Sequence, residues 1–258
     1  MNDWTPDNKP RVTREDIVAG LREIGLQPGD LVQVHSSLSA FGYVEGGADA
    51  VVDALLEALG PDGTLMVPTF NHGSVEVFDV ATSPSSNGKI TEAVRMRSEA
   101  HRSVHPTHPY AAIGPLAEWL TSEHLEIGTF DWECPLGKLT QRDGLILLLG
   151  VGMNSNTIAH VAEARLRVPC LGYREYPRRV RMSDGSVIDA WGVRWRNGKC
   201  RLEWDPIEDE MRTQEMIRDG HIGAADVMLM RARDAYDVTV ELCERLCPTC
   251  DVRPQPLK

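Results

Sequence analysis

Apolar and polar positions alternate along this chain with a period that changes from segment to segment. Over residues 14–26, Ile17, Val18, Leu21, Ile24 and Leu26 recur at helical spacing behind Thr13, which can cap the segment. The turn Pro28-Gly29-Asp30 leads into LVQVH, which alternates as a strand does and ends at His35-Ser36-Ser37. A Gly46-Gly47 turn opens a second helix, with Val51, Val52, Leu55, Leu56 and Leu59 on one side. Gly60-Pro61-Asp62-Gly63 stops it and TLMVPTF is the next strand. Strand, helix and strand within about 40 residues is the spacing of a parallel βαβ unit.

Residues 71–103 lack long apolar runs and read as an extended excursion with a short helix near 90–99. A strand at AAIG (111–114) and a helix near 115–123 follow. GLILLLG (144–150) is the most apolar run and fits a central strand buried on both faces. It passes through Val151-Gly152-Met153-Asn154-Ser155-Asn156 into a helix starting at about Thr157. Residues 178–200 alternate, with turn signals at Asp184-Gly185 and Asn197-Gly198, and predict a β-hairpin; helical stretches near 208–218 and 223–246 close the chain. The expected fold is α/β in three layers, with a central, largely parallel or mixed sheet. The hairpin is a small added element, and 1–258 forms a single domain without internal repeats.

Charge narrows the partners. With 27 Lys plus Arg against 38 Asp plus Glu, the formal net charge is −11. That balance opposes wholesale binding to nucleic acid or anionic membranes and favours a cationic small molecule. No apolar run approaches the roughly 18 residues of a membrane span. The first residues, MNDWTPDNKP, are unlike a secretory signal, and the six cysteines read as reduced thiols, so a cytoplasmic protein is expected.

The richest chemistry lies in GVGMNSNTIAHVAEAR, where Thr157, His160 and Glu163 are spaced i, i+3, i+6 at the start of a helix that follows a central strand. A neutral imidazole there can take a proton, and Glu163 can fix its tautomer. The bland alternative is a surface histidine paired with an i+3 carboxylate. A second cluster, His101, His105 and His108 with Arg97 and Arg102, lacks any metal-site spacing and is interrupted by Pro106 and Pro109. It suits an anionic ligand better than a metal. His35-Ser36-Ser37-Leu38-Ser39 offers hydroxyls and N–H groups directly after a strand, apt for phosphate or amide groups and equally for a plain hydrogen-bonded turn. Cys243, Cys247 and Cys250 lack a partner pair in sequence to close a four-ligand metal set. The P-loop, the hydrolase elbow and the dinucleotide-binding glycine fingerprint are all absent.

Taken together, the chain resembles the aminoglycoside 3-N-acetyltransferase (antibiotic N-acetyltransferase) family. The resemblance runs in order through VHSSLSAFG (34–42), GGADAVVDALLEALGPDGTLMVPTF (46–70), FDVATSPSSNGKITE (78–92), RSVHPTHPYAAIGP (102–115), CPLGKL (134–139), GVGMNSNTIAHVAEAR (150–165) and IGAADVMLMRARDAYDVTVE (222–241). It implies an acetyltransferase fold distinct from the GNAT superfamily. The implied reaction is acetyl transfer from acetyl-CoA, without a metal, to the 3-amino group of a 2-deoxystreptamine aminoglycoside; another amine metabolite is the alternative acceptor. Such an enzyme would act in antibiotic resistance as a monomer or homodimer. Carried onto this chain, the family's NTxxHxxE pattern gives His160 as base, Glu163 as its acid partner and Thr157 as a hydroxyl beside the thioester. His35, Ser36, Ser37, His105 and Thr107 become contacts of the pantetheine arm and phosphates. Asp205, Glu208, Asp209 and Glu210 are candidates for holding the acceptor's ammonium groups, although an acidic helix start is also ordinary dipole compensation. The family's HPxHSVAA reads HPTHPYAA here, with Pro109 and Tyr110 in place of Ser and Val, and Met153 stands in the turn before the base.

Overall fold

The computed structural model describes residues 9–72, 74–174, 178–190, 193–196, 200, 202 and 204–253. In chain order its elements are β1 (Arg11–Val12), α1 (Arg14–Glu23), β2 (Leu31–Ser36), β3 (Tyr43–Val44), α2 (Gly47–Leu59), β4 (Thr64–Pro68), β5 (Val77–Asp79) and α3 (Lys89–Arg95). There follow β6 (His101–Arg102), β7 (Tyr110–Ile113), α4 (Ala117–Thr121), α5 (His124–Ile127), α6 (Pro135–Gln141), β8 (Leu145–Leu149) and α7 (Ala159–Leu166). The last third holds β9 (Leu171–Arg174), β10 (Arg178–Arg181), β11 (Val187–Ala190), β12 (Val193–Arg196), α8 (Trp204–Thr213), β13 (Ile217–Ile222), β14 (Ala225–Arg231) and α9 (Ala232–Leu246).

A seven-stranded mixed sheet in the order β13-β14-β8-β2-β4-β7-β6 forms the middle layer. β2 runs parallel to both β4 and β8, and the outer strands are antiparallel. The period of two divides its side chains between two cores. Val32, Val34, Leu65, Val67, Leu147, Leu149, Val227 and Leu229 meet α1, α2 and α3. Met66, Ile146, Leu148, Met228 and Met230 face the opposite way, toward α4, α6, α7, α8 and α9. Because helices cover both faces, the central strands carry apolar residues at nearly every position, as GLILLLG announced.

Several elements depart from the sequence reading. The stretch expected as helix from 223 begins instead as β14, paired to β13 through a turn at Gly223. Gly223 has φ +59°, and a Cβ there would sit 2.5 Å from the Phe41 carbonyl oxygen, so a helix cannot run through it. ADVMLMR, apolar on both faces, is a buried strand that helical periodicity mimics over a short window. The 208–218 helix spans Trp204–Thr213 and gives way at Glu215, φ +54°, to β13. The helix near 115–123 is interrupted at Glu123, φ +60°, and α6 was not anticipated. The expected hairpin exists between β10 and β11 across Asp184-Gly185, but β12 pairs with β9. The Asn197-Gly198 turn lies outside the described residues.

The carboxyl ends of β2 and β8 lie side by side, with Ser36 opposite Leu149. The loop after β2 and the turn after β8 then touch at Gly150: its φ is +67°, and an added Cβ would come within 2.3 Å of Ala40 Cβ. Gly150→Ala therefore combines a left-handed backbone with a clash, and about 2–4 kcal/mol of stability should be lost. Gly185→Ala, at φ +84° with no atom within 4 Å, should cost only about 1 kcal/mol. Urea denaturation of the two variants checks the difference.

Candidate active site

The turn from β8 to α7 places the central imidazole. A short 3-10 turn over Met153–Ser155 follows Gly152, and Asn156 Oδ1 accepts the Ile158 backbone N–H at 3.1 Å. This side-chain turn aims the chain into α7, whose second residue is His160. One turn on, Glu163 is fully buried, while the His160 side chain is 25% exposed. His160 Nδ1–H donates to Glu163 Oε2 at 2.8 Å. A carboxylate can only accept, so the proton sits on Nδ1 and the Nε2 lone pair is left for a reacting group.

Two aromatic rings that the sequence reading did not single out touch the same imidazole. Phe130 lies 5.0 Å away, centroid to centroid, and Trp204, the first residue of α8, lies 5.6 Å away at 74°. Phe130 stands just ahead of the CPLGKL segment, whose position in the chain gives no hint of its distance from His160. Only the ring contact with His160 reveals it.

Thr157 does not join this pair as expected. The helix begins at Ala159, two residues later, and Thr157 is joined to His160 through the backbone, its carbonyl accepting the His160 N–H at 3.1 Å. Its Oγ1 is buried without a partner and faces the equally buried Tyr110 hydroxyl, short of hydrogen-bond geometry.

His105 and Thr107 lie inside the protein. Thr107 and Pro109 carbonyls accept N–H groups from Asn71, His72 and Thr69, which folds the HPTHP loop inward. His105 Nδ1 accepts the backbone N–H groups of Thr107 and His108, at 3.2 and 2.9 Å, and its Nε2–H donates to Thr129 Oγ1 at 3.0 Å. Both ring nitrogens are spent within the protein. Thr107 Oγ1 is 2.7 Å from His108 Nδ1. His105 stacks on His124 at 4.6 Å, and His124 bonds Ser103. Arg102 fixes the excursion by donating to Val80, Ser83 and Thr69 oxygens, and Arg97 pairs with Asp49 and Asp53. The loop is a buried scaffold for Phe130, since His108 packs against that ring at 5.5 Å.

Ser36 and Ser37 line a groove of about 630 Å³ with Ser39, Gly47 and Lys89. Ser36 Oγ is buried there without a partner. His35 points to the other face of the sheet, beside Gln33, whose amide nitrogen is 3.0 Å from its Nε2. Of the four acidic candidates, Glu208 pairs with Arg212 and Glu210 accepts from Gln214. Asp205 and Asp209 are exposed and their carboxylates have no hydrogen-bond partner among the described residues, and Asp205 adjoins Trp204. Cys170, Cys200, Cys243 and Cys247 gather in the core near Glu163 as free thiols. Burial pushes Cys170 up to about 12. Among the described residues no His, Cys, Asp and Glu group has the geometry of a metal site, and no helix is long and apolar enough to cross a membrane.

A family model described as aminoglycoside 3-N-acetyltransferase matches residues 33–244. Aminoglycoside N(3)-acetyltransferase VIII of Streptomyces fradiae is 32% identical over 90% of this chain and 92% of its own length. The crystal structure of aminoglycoside acetyltransferase AAC(3)-IIb superposes with a TM-score of 0.84 at 30% identity, covering 94% of this chain and all (100%) of the other. AAC-IIIb in its binary structure with CoASH gives a TM-score of 0.82 at 25% identity, covering 93% and 99%.

The buried imidazoles make an acid-lability prediction. Burial lowers His35 to about 4 and His108 and His124 to about 3, and holds His105 well below its ordinary value, helped by the neighbouring His124 and His108. An unfolded chain protonates these groups near 6.5, so below that pH it binds more protons than the folded chain. Stability is thus fully present above about pH 6.5 and should fall with acid, by about 1 kcal/mol per pH unit for each such histidine. Urea midpoints at pH 7.5, 6 and 5 measure this; equal midpoints would contradict the neutral, buried assignment.

Proposed function

The chain belongs to the aminoglycoside 3-N-acetyltransferase family, and we propose that it moves the acetyl group of acetyl-CoA to the 3-amino group of a 2-deoxystreptamine aminoglycoside, with His160 as general base. The observation that carries this reading is the half-open imidazole whose Nδ1–H is tied to a buried carboxylate.

An aminoglycoside amine arrives as an ammonium and gives one proton to solvent before it can act as a nucleophile. As the neutral nitrogen attacks the thioester carbonyl carbon, His160 Nε2 takes the second proton. The imidazolium so formed keeps its Nδ1–H on Glu163, which stabilises the developing charge. The carbon–sulfur bond then breaks, and the departing sulfur receives the proton from Nε2 to leave as CoA thiol. No acyl-enzyme is needed.

The two substrates enter from different sides of the end of β2. The groove at Ser36, Ser37 and Ser39 offers hydroxyls for the amides of the pantetheine arm, and Lys89 supplies a cation for phosphate. Asp205 and Asp209, the unpaired carboxylates of α8, suit the acceptor's remaining ammonium groups. Acetylation removes one positive charge from the antibiotic, weakening its hold on nucleic acid phosphates, which accounts for resistance.

Thiol release from acetyl-CoA with a panel of aminoglycosides tests the reading; turnover confined to other amines would replace the acceptor with a different metabolite. His160→Ala should lower kcat by about 10²–10⁴-fold with CoA affinity within a few fold. Glu163→Gln, which can present an N–H to Nδ1 and force the wrong tautomer, should lose a comparable factor. A kcat unchanged in His160→Ala removes the mechanism.

A further inference from the structure

A hydrogen bond at Nδ1 alone does not fix an imidazole, because the ring can still swing about that contact. Two rings from distant segments restrict it here. Phe130 meets it at 5.0 Å and 47°, and Trp204 at 5.6 Å and 74°. Each is itself anchored. Phe130 is 7% exposed and backed by His108 at 5.5 Å. Trp204 packs on the main core at the head of α8, whose Ile207 and Met211 are buried in the same core. The far end of α8 is tied by Arg212 to Glu208 and to Asp219 of β13, both at 2.8 Å.

We infer that Trp204 is a positioning residue that, together with Phe130, holds the His160 ring plane so that Nε2 faces the attacking amine. The inference rests on the reading of His160 as base. General-base catalysis demands hydrogen-bond reach and alignment at the moment of attack, and a ring free to turn spends much of its time misdirected. Trp204 therefore acts on the chemical step and leaves substrate affinity nearly unchanged.

The test compares Trp204→Leu, Trp204→Met and Trp204→Phe with the wild type, using thiol release from acetyl-CoA and each aminoglycoside that the wild type turns over. Leu and Met should lower kcat about 10–50-fold, by the same factor for every acceptor, with both KM values within about twofold. Phe, which restores an aromatic neighbour, should return kcat to within about threefold of wild type. Melting temperatures verify that each variant folds, and Met, which fills volume without a ring, serves if Leu does not. Three outcomes overturn the inference: an unchanged kcat, a loss confined to the acceptor KM, or a Phe variant no better than Met. The last would make the indole a packing residue, and the second a wall of the acceptor site. Loss of activity in His160→Ala alongside normal Trp204 variants would sink this inference alone, whereas a wild type that transfers no acetyl group sinks the reading beneath it.

Discussion

The site depends on one hydrogen bond, from His160 Nδ1–H to a carboxylate that has no access to water. A carboxylate buried without partners is costly, so Glu163 has a strong energetic reason to keep the imidazole proton on the side facing it. The tautomer is thus set by burial of the partner, and not by the half-exposed ring itself. Both properties that the proposed base role asks of His160, a free Nε2 lone pair and a stabilised imidazolium, follow from that asymmetry.

The fold supplies the asymmetry by putting His160 and the carboxylate that holds it on one short helix. α7 leaves the end of a fully buried strand, so its inward face meets the core beneath the sheet while its first turn reaches the edge. β2 has β4 on one side and β8 on the other, both parallel to it, which makes its carboxyl end a point where the chain order reverses. Crevices form at such points in open α/β sheets. The serine-lined groove and the turn leading to His160 meet there because Gly150 allows two backbones to approach closely.

Much of this was legible in the sequence, and the failures have physical causes. The helix of residues 14–26, the βαβ unit and the central strand announced themselves by period and by caps; Thr13 and Asp16 form the reciprocal cap at the start of α1. His160 and Glu163 could be paired because three residues of helix bring them together wherever the rest of the chain goes. The start of α7 at Ala159, two residues after Thr157, was not legible, because no pattern of apolar positions fixes such a boundary. The inward placement of His105 and Thr107 was not legible because a polar, proline-rich loop reads as exposed, whereas here its carbonyls and imidazoles are satisfied inside the protein. Phe130 and Trp204 were invisible because their value lies in a tertiary contact with a residue 30 or more positions away.

The electrostatics of the interior complete the picture for a cationic acceptor. His105 stacks on His124 and meets His108, and His108 lies near enough to the His160 imidazole for a charge on one to be felt by the other. Burial keeps them neutral at physiological pH, so that wall carries polar contacts without repelling an ammonium. Over this neutral wall acts the field of a chain with formal net charge −11, which draws cations to the surface from outside. Glu208 and Glu210 are occupied with Arg212 and Gln214, which leaves Asp205 and Asp209 as the open carboxylates of α8. In the proposed function, long-range attraction would come from the whole surface and local orientation from these two carboxylates. Under this division of labour a single surface carboxylate is worth little to capture, whereas a charge introduced among the buried histidines would oppose it directly.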